Sequence, residues 1–164
     1  MEQRNFYVID TSSLIELNYR YPMDTFPTLW KKISALIKSG LLISHKEVYK
    51  EIEIMDDDLK KWASKQKNFF KEIDTNQLKI ATQIINAYPS LIDPAKTSSA
   101  DPFVIALTIT LSNDPQKKIF SNGHLIVTEE KIRGNRIRIP YVCQTYNIKC
   151  IDIREMYKEE KWKF

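Results

Sequence analysis

Residues 6–17, FYVIDTSSLIEL, constrain what this chain can fold into more than any other stretch. Phe6, Tyr7, Val8 and Ile9 form an unbroken apolar run, the pattern of a strand buried on both faces in a parallel sheet. Asp10 follows at once, then Thr11, Ser12 and Ser13, then a new apolar series at Leu14, Ile15 and Leu17. Hydroxyl residues cap helices well, so the strand is expected to turn directly into a helix. Asp10 then stands at the carboxyl end of a central strand, where open α/β sheets carry their sites. Taken alone, Asp10 reads equally as a turn or capping residue. The acids farther along decide.

At 164 residues the chain is long enough for a real core and is expected to form one domain over residues 1–164. Its composition, 43% hydrophobic and 28% charged with three glycines, fits a helix-rich globular protein and excludes a disordered one. A net charge of +4 is compatible with a nucleic-acid partner without demonstrating one. Cys143 and Cys150 make neither a disulfide framework nor a four-ligand zinc site, and read as small core residues. The opening MEQRNF lacks a signal peptide's apolar stretch and no run reaches membrane-spanning length, so a cytoplasmic protein without membrane contact is expected.

Along the chain, Tyr21-Pro22 and Phe26-Pro27 mark a break, followed by an amphipathic helix over 28–38 and a stop at Gly40. A short strand over 41–44 leads into HKEVYKEIEIM, whose Val48, Tyr49, Ile52 and Met55 define one buried helical stripe. Glu51 lies at the edge of that stripe, where a half-buried carboxylate can be aimed into a cleft; Glu47 and Glu53 point farther from it. Asp56, Asp57 and Asp58 read as a helix N-terminus, where negative charge suits the macrodipole. The helix they open is expected to bury Leu59, Trp62, Ala63, Phe69, Phe70 and Ile73 and to expose its lysines. A second helix over 75–88 is expected to bury Leu78, Ala81, Ile85 and Tyr88. Together these make inserted helices between about 57 and 88.

The stretch SSADPFVIALTITLS, residues 98–112, begins a helix at Asp101-Pro102 that is apolar nearly all round and therefore central. Capping accounts for Asp101 on its own, yet a carboxylate at the mouth of the most buried helix is also well placed to join Asp10. Residues 118–128 form a late strand ending in Thr128-Glu129-Glu130, the same grammar as the opening. Lys131, Arg133, Arg136 and Arg138 then crowd a loop around Gly134. A short strand over 136–139, a helix from Pro140 to Tyr146, a strand over 149–151 and a terminal helix complete the reading.

Strands alternating with helices imply an α/β fold, a three-layer α/β/α sandwich on a central, mainly parallel sheet. If the strand ends are adjacent, Asp10, Glu51, Asp101 and Glu129 or Glu130 converge. Like charges that close need a counter-ion, and oxygen donors suit hard cations such as Mg²⁺ or Mn²⁺. With only His45 and His124 in the chain, a histidine-built site is not expected.

The chain resembles the PIN-domain nucleases, and within them VapC-type toxins of toxin–antitoxin pairs. The resemblance rests on VIDTSSLI, VYKEI, ADPFVIAL and IVTEEK, in that order, with IRIPYVCQTYNIKCIDI closing the sheet. It implies that Asp10, Glu51, Asp101 and Glu130 are the catalytic, metal-binding acids. Ser12 matches a small hydroxyl residue that helps hold the metal or its water, and Thr128 the hydroxyl of the late motif. The family commonly has aspartate where this chain has Glu130, so Glu129 and Glu130 both stand as candidates. One or two Mg²⁺ or Mn²⁺ ions would serve a water's in-line attack on an RNA phosphodiester. Lys131, Arg133, Arg136 and Arg138 would bind the flanking phosphates.

The implied partners are an RNA substrate, a protein antitoxin and a second copy of the chain. Two alternatives remain: a PIN-like module that binds RNA or protein without cutting, and another metal-dependent phosphohydrolase. A haloacid-dehalogenase-like phosphatase would need an acid at position 12, where Ser12 stands.

Overall fold

The computed structural model describes residues 2–95 and 99–164; Ser98, which opens the stretch before the central helix, lies outside them. The apolar run becomes β1 (Arg4–Ile9) and the hydroxyl series opens α1 (Thr11–Arg20). The elements that follow are α2 (Pro27–Lys38), β2 (Leu42–His45), α3 (Lys46–Met55), α4 (Asp57–Ala63), β3 (Phe70–Lys71) and α5 (Thr75–Ala87). Then come α6 (Asp101–Ser112), a short α7 (Pro115–Lys118), β4 (Ser121–Val127), α8 (Ile139–Thr145), β5 (Cys150–Ile151) and α9 (Ile153–Glu159). No helix among the described residues is long and apolar enough to cross a membrane.

The five strands form one sheet in the order β3-β2-β1-β4-β5, and every pairing is parallel. The chain walks outward from β1 through β2 to β3, then returns to the other side of β1 for β4 and β5. Right-handed crossovers therefore put the two sets of helices on opposite faces. On one face α6 crosses β1, β2 and β4, with α5 and α8 against it. On the other, α1 packs with α3 and α4, and α2 rests on β2. This is the expected three-layer α/β/α arrangement.

The core follows the apolar pattern. Tyr7, Val8 and Ile9 of β1 are fully buried, as are Val104, Ile105 and Ala106 of α6, and each buried Val or Ile side chain among them contributes about 2 kcal/mol. Cys143 is buried, Cys150 is partly so, and both are free thiols.

Four local expectations are corrected. The helix opened by the aspartates ends at Ala63, with Asp56 as its N-cap accepting from the Leu59 N–H, and Phe70–Lys71 is instead an edge strand paired with β2. The chain turns between them at Asn68, whose φ is 60°. In α5 the buried face is Gln77, Ala81 and Ile84, while Leu78 is 53% exposed. Gln77 is drawn inward because its Oε1 meets Nε2 of fully buried His45 at 3.1 Å, which rotates the stripe by about one residue. At the end of α3, Met55 is 63% exposed, because the chain leaves the helix there for the Asp56 cap. Residues 136–138 form no strand; Arg138 is the extended N-cap of α8.

Candidate functional site

The strand order reverses between β1 and β4, and their neighbouring carboxyl ends open a crevice of the kind that carries ligand sites in open α/β sheets. The register pairs Ile9 with Val127, so Asp10 and Thr128 leave the sheet side by side. Asp10 is the N-cap of α1: its Oδ1 accepts the Ser13 N–H at 2.9 Å. Ser12 Oγ lies 2.9 Å from both Asp10 oxygens and donates to them, and Thr128 Oγ1 donates to Oδ2 at 2.6 Å. The two hydroxyls in turn accept backbone N–H groups of the next segment, Ser12 from Glu129 and Thr128 from Glu130, each at 3.1 Å. The ends of β1 and β4 are thus laced through one carboxylate.

Asp10 is 3% exposed, and no cationic side chain among the described residues pairs with it. Burial pushes its pKa up to about 7, against the hydrogen bonds from Thr128, Ser13 and Ser12, and the Glu130 charge adds to the rise. An ionised, buried carboxylate without a cation is a group that a metal ion would relieve.

Glu51, Asp101 and Glu130 arrive from three different elements and line a single cavity of about 510 Å³. Glu51 is half-buried on α3, and its Oε1 accepts the Ala100 N–H at 2.8 Å. Ala100 is the N-cap of α6 and Asp101 its first residue, so the expected Asp101 cap is corrected: the carboxylate that serves the N-cap residue's backbone belongs to Glu51. Glu130 accepts the Ile139 N–H on Oε2 at 3.1 Å and Arg138 Nη1 on Oε1 at 3.4 Å. Glu129 turns the other way. Its Oε1 accepts from Ile153 N–H at 3.0 Å and Ser13 Oγ at 3.4 Å, at the start of α9.

The basic loop borders this crevice. A second cavity of about 300 Å³ is lined by Ser12, Glu129, Glu130, Lys131, Arg133, Arg136 and Arg138. Arg136, Arg138 and Glu130 line both cavities, so the two adjoin. Lys131 is partly committed elsewhere, 3.2 Å from Asp152. The sequence reading did not single out Ser90, Asp93 and Asn135, which also line the acidic cavity. They sit in connections without periodicity, and only the folded chain brings them there.

The donor chemistry suits a hard divalent cation: carboxylates and hydroxyls, with no thiolate or imidazole in the cavity linings. His45 is not available, since its Nδ1 caps α3 through the Glu47 N–H and burial lowers its pKa. Among the described residues, no group of three or more His, Cys, Asp or Glu side chains is gathered tightly enough to hold a metal as it stands.

A family model described as a domain of unknown function (DUF4411) matches residues 7–164, and the chain belongs to that family. No curated protein matches the chain.

Proposed function

We propose that this protein is a metal-dependent endoribonuclease of the PIN-like kind, acting as the toxin of a toxin–antitoxin pair. The observation that carries the reading is the crevice at the strand-order reversal: buried, cation-free Asp10 beside a cavity lined by Glu51, Asp101 and Glu130. Those four acids would hold one or two Mg²⁺ or Mn²⁺ ions. Such an ion, when bound, polarises the scissile phosphodiester and acidifies the attacking water.

The rest falls to the chain itself. Ser12 and Thr128 orient the Asp10 carboxylate through hydroxyl hydrogen bonds. Arg133, Arg136 and Arg138 receive the phosphates on either side of the bond to be cut, giving sequence-independent affinity. Among the described residues no aromatic side chain lines either cavity, which favours recognition of the backbone over base stacking. The supposed antitoxin would cover the acidic crevice, and the protein would work as a homodimer in the cytoplasm.

A second reading is a PIN-like module that binds RNA or protein without cutting. It draws on the looseness of the acids, three of which already serve a backbone N–H: Asp10 that of Ser13, Glu51 that of Ala100, Glu130 that of Ile139.

Cleavage of a structured-RNA pool with Mg²⁺ or Mn²⁺ separates the two. Wild-type protein should cut, and Asp10→Asn and Asp101→Asn should each lower the rate by about a hundredfold or more with folding intact. Wild-type protein that binds RNA but never cuts it, at any metal concentration, would establish the module instead.

A further inference from the structure

Glu130 is gripped by two consecutive residues that differ in what holds them. The Ile139 N–H belongs to the buried first residue of α8, so this donor is fixed by backbone. Arg138 reaches the other oxygen through a side chain that is 48% exposed, at 3.4 Å, the long end of hydrogen bonding. One donor is permanent and the other exchangeable. The exchangeable one is also a cation in an acidic cleft, since Glu51 and Asp101 line the same cavity. A divalent ion approaching Glu130 therefore meets a like charge already in place.

Resting on the nuclease reading, we infer that Arg138 is a positioning residue: the internal counter-ion of Glu130 that gives up this carboxylate to a divalent ion and turns to a substrate phosphate. Metal loading and the release of a phosphate-binding arginine then become one event. Three features support this. Removing a cation from a cleft lined by the carboxylates of Glu51, Asp93, Asp101 and Glu130 leaves concentrated like charge, so Glu130 needs either the guanidinium or a metal. Arg138 lines both the acidic and the basic cavity, so a rotation of its side chain moves the charge from one to the other. The guanidinium fork matches phosphate oxygens in pairs, which a lone ammonium cannot do.

Arg136 provides an internal control. It lines the same two cavities and carries the same charge, yet forms no ion pair with Glu130 among the described residues.

The test is a Mn²⁺ titration followed by calorimetry and thermal unfolding, on wild type, Arg138→Gln, Arg138→Lys and Arg136→Gln. Arg138→Gln should bind Mn²⁺ about threefold more tightly or better, the scale of one exposed ion pair removed. Arg138→Lys, which keeps the positive charge, should bind Mn²⁺ as wild type does, and Arg136→Gln should shift less than Arg138→Gln. Binding of a 2′-O-methyl RNA oligonucleotide supplies the second readout. Arg138→Gln should weaken it in Mn²⁺ and leave it nearly unchanged in EDTA, where the arginine is held by Glu130. An unchanged or weaker Mn²⁺ affinity in Arg138→Gln, or equal losses of RNA affinity with and without metal, would overturn the inference. A wild type that shows no Mn²⁺ response at all removes the nuclease reading too, so the two failures are distinguishable.

Discussion

Asp10 holds the β1 and β4 ends together while burial disfavours its own charge. Three donors, Ser13 N–H and the hydroxyls of Ser12 and Thr128, converge on it, yet its pKa still stands at about 7 because burial outweighs them. A site kept ready for a cation is unstable without one. Asp10→Asn is therefore expected to raise the unfolding free energy of metal-free protein at pH 8 by about 1–2 kcal/mol. It is also expected to abolish any stabilisation by Mn²⁺. Denaturant unfolding in EDTA and in Mn²⁺ checks both halves. A variant less stable than wild type in EDTA would mean that the carboxylate's hydrogen bonds outweigh its desolvation.

At the scale of elements, His45 joins β2, α3 and α5. Its Nδ1 accepts the Glu47 N–H at 3.0 Å, its Nε2 meets Gln77 Oε1 at 3.1 Å, and its ring stacks on Phe103 of α6. Burial holds the folded-state pKa below the ordinary 6.5. The unfolded chain then takes up a proton on this ring that the folded one refuses. His45 contributes stability that is fully present above about pH 6.5 and is lost as pH falls below it toward the folded-state pKa. Unfolding free energies from pH 8 to pH 5 should drop more steeply in wild type than in His45→Asn, whose amide oxygen can keep the α3 cap. His124, depressed by burial, and Asp10, raised by it, are common to both proteins and cancel in the comparison. Parallel curves would mean that the ring titrates alike in both states.

The same junction explains what could be read from the residues and what could not. The apolar run of β1 and the all-round apolar α6 are dictated by burial on every side, and composition alone exposes that. β3 is two residues long, too short to show alternation, and its Phe70, with Phe69 just before it, happens to continue the spacing of α4. The face of α5 was misjudged because the residue that turns inward is polar Gln77, drawn by a histidine 32 positions away. Glu51 at the edge of its stripe was legible from helical geometry. That it would meet Ala100 was not, since nothing local links α3 to the mouth of α6. Of the late acidic pair, the opposed directions of Glu129 and Glu130 depend on where α8 and α9 begin, which only the fold decides.

For the whole molecule, the net charge of +4 understates how unevenly charge is distributed. The acids gather at the strand ends while Lys131, Arg133, Arg136 and Arg138 border them. RNA affinity should therefore fall steeply with salt. Arg133→Gln and Arg136→Gln should each reduce the slope of log K against log salt by about 0.7–1 while weakening all sequences alike. Filter binding or fluorescence anisotropy between about 50 and 200 mM salt is sufficient. Slopes identical to wild type would move the phosphate path away from this loop.

The lacing of Asp10 to Thr128 spans 118 positions of sequence. β1 is made well before its second neighbour β4 and before Thr128, the donor to Asp10 Oδ2, both of which emerge only after residue 120. Such long-range closure is slow, because the loop must be ordered before the contact rewards it. A ribosome still translating the segment between β1 and β4 thus displays a chain whose crevice cannot yet exist. For a protein able to cut RNA, that order would leave the cutting crevice unmade until β4 has joined β1.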